Sequence, residues 1–179
     1  MSTTHYTSPD GLFQLSLLGK QIGEILAYCT AANGSETGGI LVGYYTPSRD
    51  CAIVTAVSGP PDDSRSSHTR FNRGTKGLRK WLASLWNAPI RSYYLGEWHY
   101  HPFAAPIPSG DDRRQMADIS AAPEYHCPEP ILLILGGNPQ ADWLLSIHVF
   151  VRSKPTHPIV LQQLAATSIE ELPAHHERK

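Results

Sequence analysis

The stretch Gly96-Glu97-Trp98-His99-Tyr100-His101-Pro102, continued by Phe103-Ala104-Ala105-Pro106-Ile107-Pro108-Ser109-Gly110-Asp111-Asp112, leaves the chain few ways to fold. Two histidines one residue apart on a strand face the same side, because strand side chains alternate with period two. The Pro- and Ala-rich turn after Pro102 ends that strand. A helix then opens at Ser109 or Gly110 and runs to about Ala121. Its first turn returns the carboxylate of Asp112, eleven residues past His101, to the strand's end. Two imidazoles and one carboxylate form a three-ligand set with a fourth position left to water, the arrangement of a catalytic rather than a structural zinc.

Each part of that set also has a plainer reading. Nine histidines are scattered along the chain, and a lone His-x-His can be an ordinary polar face. Ser109-x-x-Asp112, taken alone, is a capping box with an acid near the positive end of the helix dipole. The two readings need not compete, since the start of a helix is a rigid mount for a ligand.

The rest of the chain supplies a frame. Gly11 to Leu18 reads as a strand. A helix from about Lys20 to Thr30 carries Ile22, Ile25, Leu26 and Cys29 on one stripe. Glu36 leads into a strand to Tyr45, and Cys51 to Val57 returns as its hairpin partner. Gly59 to Gly74 is polar and turn-rich, either a functional excursion or a mobile surface loop. A second helix, about Thr75 to Asn87, carries Leu78, Trp81, Leu82, Leu85 and Trp86 on a stripe expected to be core. Arg91 to His99 is a strand, Pro130 to Gly136 a strand buried on both faces, and Trp143 to Val151 a last strand. Val160 to Leu172 is expected as a docked helix. The sum is a single α/β (α+β) domain with a mixed central sheet flanked by helices on both faces.

Composition excludes several classes. A chain of 179 residues is long enough for one packed core. A formal charge of -1, with no basic block, argues against binding nucleic acid through phosphate contacts. Cys29, Cys51 and Cys127 are odd in number and lack metal-like spacing, which fits a reducing cytoplasmic setting. The first residues lack the pattern of a signal peptide. No apolar run approaches the ~20 residues of a membrane span, so the chain reads as soluble and intracellular. A zinc-deaminase signature, a helical His-Glu-x-x-His, a Gly-x-Ser-x-Gly and a P-loop are all absent.

Glu36-x-x-Gly39-x-x-x-Gly43, then His99-x-His101-Pro102, then Ser109-x-x-Asp112 resembles the motif of the JAMM (MPN+/JAB) metalloproteases. The resemblance spans roughly Gly11 to Arg152, which would make 11–152 a JAB/MPN-like domain between an N-terminal arm, 1–10, and a C-terminal tail, 153–179. The context Gly96-Glu97-Trp98-His99 is similar to the bacterial branch, whose members often sit beside ubiquitin-like conjugation enzymes, including in anti-phage islands.

The resemblance implies that His99, His101 and Asp112 bind one zinc. It implies that Glu36 holds and deprotonates the metal's water and that Ser109 donates a hydrogen bond to the oxyanion. Tyr100 departs from the family's usual Ser or Thr; by alternation it points away from the metal and affects packing. Glu97 shares the histidines' face and reads either as an orienting partner for an imidazole or as a competing base. His68, His126 and His148 read as ordinary histidines, and His175 and His176 as adventitious metal scavengers.

The implied activity is that of a zinc isopeptidase or peptidase cutting after the C-terminal tail of a ubiquitin-like protein. Its conjugates, and the activating and conjugating enzymes of the same system, are the implied partners. The 59–74 loop is the candidate grip for the tail. Alternatives are a non-catalytic MPN-type scaffold and a hydrolase acting on a sulfur-carrier precursor.

Overall fold

The computed structural model describes residues 2–154 and 156–164. In order they form β1 (Thr3–Thr7), β2 (Gln14–Leu18), α1 (Gly19–Ala31), β3 (Thr37–Tyr45), β4 (Cys51–Val57), β5 (Arg65–Ser66), β6 (Phe71–Asn72) and α2 (Leu78–Trp86). They continue with β7 (Tyr93–Pro102), α3 (Gly110–Ala121), a 3-10 turn (Pro123–Tyr125), β8 (Ile131–Gly137), β9 (Trp143–Val149) and β10 (Ile159–Gln163).

The sheet is mixed, as expected, and it closes on itself in the order β1-β10-β9-β8-β7-β3-β4-β2. Closure removes the open edges that would otherwise invite pairing with another chain. β8 is buried on both faces, as its unbroken apolar run predicts, and its side chains divide between two cores. Ile131, Leu133 and Leu135 join Ile25 and Cys29 of α1, whereas Leu132 and Ile134 join Met116 and Ile119 of α3. Helices therefore cover both faces. Trp98 and Tyr100 of β7 also point into the α1-side core, and the Tyr100 hydroxyl donates to the Gly137 carbonyl at 3.1 Å.

Four expectations change. Residues Thr3–Thr7, read as part of an arm, are a barrel strand, with Tyr6 opposite both Leu15 and Gln163. The helix expected from Val160 to Leu172 is strand β10 as far as Gln163, and its remainder lies outside the described residues. β-Branched Ile159 and Val160 suit that pairing with β9. The stripe of α2 is not core, because no residue of α2 is buried and Trp86 is 46% exposed. Leu82 and Trp86 instead border an apolar groove of about 870 Å³. Finally, the 59–74 segment carries its own hairpin, β5–β6, and its return is held by Asp63, whose carboxylate accepts from the Thr75 and Lys76 N–H groups.

Candidate metal centre

The centre forms where β7 ends and α3 begins. His99 Nδ1 lies 2.7 Å from Asp112 Oδ1, and His101 Nε2 lies 3.4 Å from Asp112 Oδ2. One ligand atom from each of the three residues falls within 4.8 Å of the others. The turn from Phe103 to Pro108 makes this possible. It is tied to the sheet by the Phe103 N–H, which donates to the Gly137 carbonyl at 3.1 Å, and by the Ser146 hydroxyl, which donates to the Pro106 carbonyl. α3 then starts on a complete capping box. Asp112 N–H donates to Ser109 Oγ at 3.1 Å, and Ser109 N–H donates to Asp112 Oδ2 at 2.7 Å. One carboxylate thus serves the cap and faces both imidazoles.

Glu36 reaches the centre through strand register. Thr37 pairs with Tyr100 and Gly38 with His99, so Glu36, one residue before β3, sits at the level of His101. Its N–H donates to the Ser67 carbonyl at 2.8 Å, and its carbonyl accepts from the Ser66 hydroxyl. The approach of β3 to β7 demands glycine at position 38. A Cβ there would lie 2.9 Å from Phe71 Cε1 and 3.0 Å from His99 Cδ2, and it would collide with the Trp98 carbonyl. Gly38→Ala is therefore expected to displace His99 and weaken metal retention by about tenfold or more, measured as bound metal after dialysis of folded protein.

Charges at the centre are coupled. Burial pushes the Asp112 carboxyl up, but hydrogen bonds from His101 and His99, with that from Ser109, outweigh it and hold it well below the usual carboxylate range. Burial pushes His101 down, while the Asp112 hydrogen bond and the Asp112 and Glu36 charges lift it above its ordinary value. Burial is the main reason the half-buried Glu36 carboxyl is raised.

The donor set fits a metal ion. Two imidazoles and a carboxylate are ligands zinc accepts. His99 is buried, and its Nε2 has no hydrogen-bond partner among the described residues. An unsatisfied buried nitrogen costs about 1–3 kcal/mol, a cost that coordination to a cation would relieve.

Glu97 takes neither role that alternation allowed. It is fully buried and accepts two hydrogen bonds from Arg73, at 2.6 and 2.9 Å, and one from the Tyr94 hydroxyl at 2.9 Å. Among the described residues it hydrogen-bonds to no imidazole and is bound to the 59–74 segment instead. Nothing local marks Arg73 in a polar loop; the only hint was a carboxylate on a buried strand that needed a cation. His148 is buried with Nε2 on Ser146 Oγ, and His68 and His126 are exposed; none belongs to the ligand cluster. His175 and His176 lie outside the described residues.

A cleft of about 520 Å³ adjoins the centre between β6 and α3, with Glu36, Ser109 and Asp112 on its wall beside Phe71, Asn72 and Gln115. No helix among the described residues is long and apolar enough to cross a membrane.

Residues 20–147 match the family described as prokaryotic homologs of the JAB domain. A protein of Enterobacter hormaechei subsp. hoffmannii (strain UCI 50), named CD-NTase/cGAS isopeptidase, is 38% identical over 159 residues, covering 89% of this chain and 86% of its own. A probable metalloprotease, y4qB, of Sinorhizobium fredii (strain NBRC 101917 / NGR234) is 27% identical over 139 residues, covering 74% and 80%. The solution structure of protein DSY2949 from Desulfitobacterium hafniense superposes with a TM-score of 0.52 at 22% identity, over 92% of this chain and 98% of its own. That last likeness concerns the fold alone.

Proposed function

The chain belongs to the family of prokaryotic homologs of the JAB domain, and from that premise we propose that it is a zinc-dependent peptidase or isopeptidase. Its substrate in this reading is the bond that follows the extended C-terminal tail of a ubiquitin-like protein or of a CD-NTase, the protein type in the relative's name. The observation that carries it is the convergence of His99, His101 and Asp112 within 4.8 Å, with Glu36 set beside them by the β3–β7 register.

His99, His101 and Asp112 would hold the ion. When bound, zinc supplies Lewis acidity toward the scissile carbonyl and a water whose pKa falls toward ~7. Glu36 would take a proton from the attacking water and pass it to the departing amine as the C–N bond breaks. Ser109 Oγ already accepts from the Asp112 N–H, which leaves its own O–H free to donate to the carbonyl oxygen as negative charge builds there. Among the described residues β6 pairs with β5 alone, and its other edge, beside the cleft, is where an extended tail can add as a further strand.

The test is metal analysis of purified protein together with hydrolysis of fusions. Ubiquitin-like proteins and CD-NTases would carry a peptide or a lysine isopeptide after their C-terminal tails. About one zinc per chain and cleavage that stops on chelation and returns with zinc are expected. Metal-replete protein that cuts none of these fusions would rule the substrate reading out.

A further inference from the structure

The 59–74 segment meets the metal centre at three places that act together. Phe71 lies edge-on to the His99 ring at 6.0 Å between centroids. Ser67 and Ser66 grip the backbone of Glu36 from both sides. β6 presents its open edge, with Phe71 and Asn72, to the cleft. A segment of this length has no core of its own to hold it there. Most of its residues from Asp62 to Asn72 are exposed, and β5–β6 has two residues per strand. So short a hairpin is marginal in water without an anchor.

The anchor sits at the segment's end. Arg73 and Glu97 have side chains only 8% and 0% exposed, and their fork-to-fork pairing uses Arg73 Nε and Nη2 on the two Glu97 oxygens. Arg73 also donates to the Gly74 carbonyl through Nη1 at 2.9 Å, which fixes the chain where it leaves the hairpin. Tyr94, its ring tilted against Tyr125 of the 3-10 turn, completes the carboxylate's shell. Glu97 lies two residues before His99 on the same face of β7, so the anchor and the metal ligands share one rigid strand. A bidentate guanidinium–carboxylate pair fixes orientation as well as distance, which a lysine would not do.

We propose that Arg73 and Glu97 are positioning residues: their buried ion pair clamps the 59–74 segment onto β7, so that the β6 edge is already in place for an extended substrate tail before the tail arrives. The proposal rests on the peptidase reading above and adds to it a preformed tail subsite. A preformed edge removes the ordering cost that substrate binding would otherwise carry. Its loss should therefore raise KM and, because Ser66 and Ser67 of the same segment hold the Glu36 backbone, lower kcat by a smaller factor.

The experiment uses the full chain loaded with zinc. Arg73→Ala combined with Glu97→Gln removes the clamp without stranding a charge, because the amide keeps Tyr94 as a partner; Arg73→Lys keeps the charge and loses the fork. Hydrogen exchange without substrate is expected to speed up about tenfold or more across 64–72 in the double variant, with the β7 and β8 amides unchanged. KM for a tail fusion is expected to rise about tenfold or more, by a larger factor than kcat falls, with zinc content unchanged, and Arg73→Lys is expected to fall between the two. Unchanged exchange across 64–72 overturns the clamp. So does zinc loss in step with activity, which would assign Glu97 to the metal centre. Wild-type protein that holds zinc yet cuts no tail fusion defeats the peptidase reading instead, and faster exchange in the double variant would then still support the clamp on the segment.

Discussion

Glu36→Gln protein is expected to bind zinc as the wild type does and to lose about 10²- to 10⁴-fold in kcat, the contribution typical of a positioned general base. The substitution keeps the side chain's shape and its place before β3. The backbone contacts to Ser66 and Ser67 are untouched by it, so the strand register that sets position 36 beside His101 survives. Only the ability to accept a proton goes. The pH profile gives a second readout. Burial raises the Glu36 carboxyl above the ordinary glutamate value, and the base acts in its ionised form. Activity should therefore fall about tenfold per pH unit once the pH drops below the carboxyl's value in the loaded protein, where burial raises that value and the ion's positive charge lowers it. A variant with full kcat and the same acid limb would remove Glu36 from the mechanism.

Asp112→Ala is expected to lose zinc and stability together, and the two losses can be separated. Asp112 lies at the helix start, where its side chain accepts the Ser109 N–H in the capping box, and loss of that hydrogen bond costs about 0.5–1.5 kcal/mol. It also faces both His99 and His101. A metal present at a thousand times its Kd stabilises the folded state by about 4 kcal/mol, all of which disappears with the site. Asp112→Asn keeps an acceptor oxygen for the Ser109 N–H but withdraws the charge from between the imidazoles. It should hold the cap and still lose metal. His99→Ala should lose metal with the cap intact. Thermal melts with and without chelator, read beside metal content, decide the case. Chelation should lower the wild-type Tm and leave the Asp112→Ala and His99→Ala melts unmoved. A wild-type Tm indifferent to chelator would mean that no metal is linked to folding here.

The local patterns carried into the structure well. His99 and His101 share a face because a strand's period is two, and Asp112 stands near them because Ser109-x-x-Asp112 starts a helix after a turn that cannot remain extended. The apolar run at Ile131–Gly137 became a strand buried on both faces. Tyr100, the departure from the family's usual residue, packs in the core beneath the centre, as its alternation with the histidines requires.

The contrary cases each turn on a partner distant in sequence. The α2 stripe has the spacing of a core helix, but spacing states which residues share a face and not whether another layer covers it. Among the described residues that face is covered only in part. Residues Ile159–Gln163 continue as strand because β1 and β9 offer them an unpaired edge on either side, which no local propensity reveals. Glu97 looked like a companion of the histidines on their face, yet its charge is answered by Arg73, which the 59–74 segment brings back over β7.

By itself, then, the amino-acid order determined the periodic and capped features: which side chains share a face, where a helix begins, which strand is apolar throughout. Tertiary structure alone decided that β3 lies against β7 in the register that brings Glu36 to His101, that Arg73 meets Glu97, and that the sheet closes. The division follows from range. Alternation and capping are set by bonds and sterics within a few residues, whereas register and burial are set by backbone pairing and desolvation between segments that only the folded chain brings into contact.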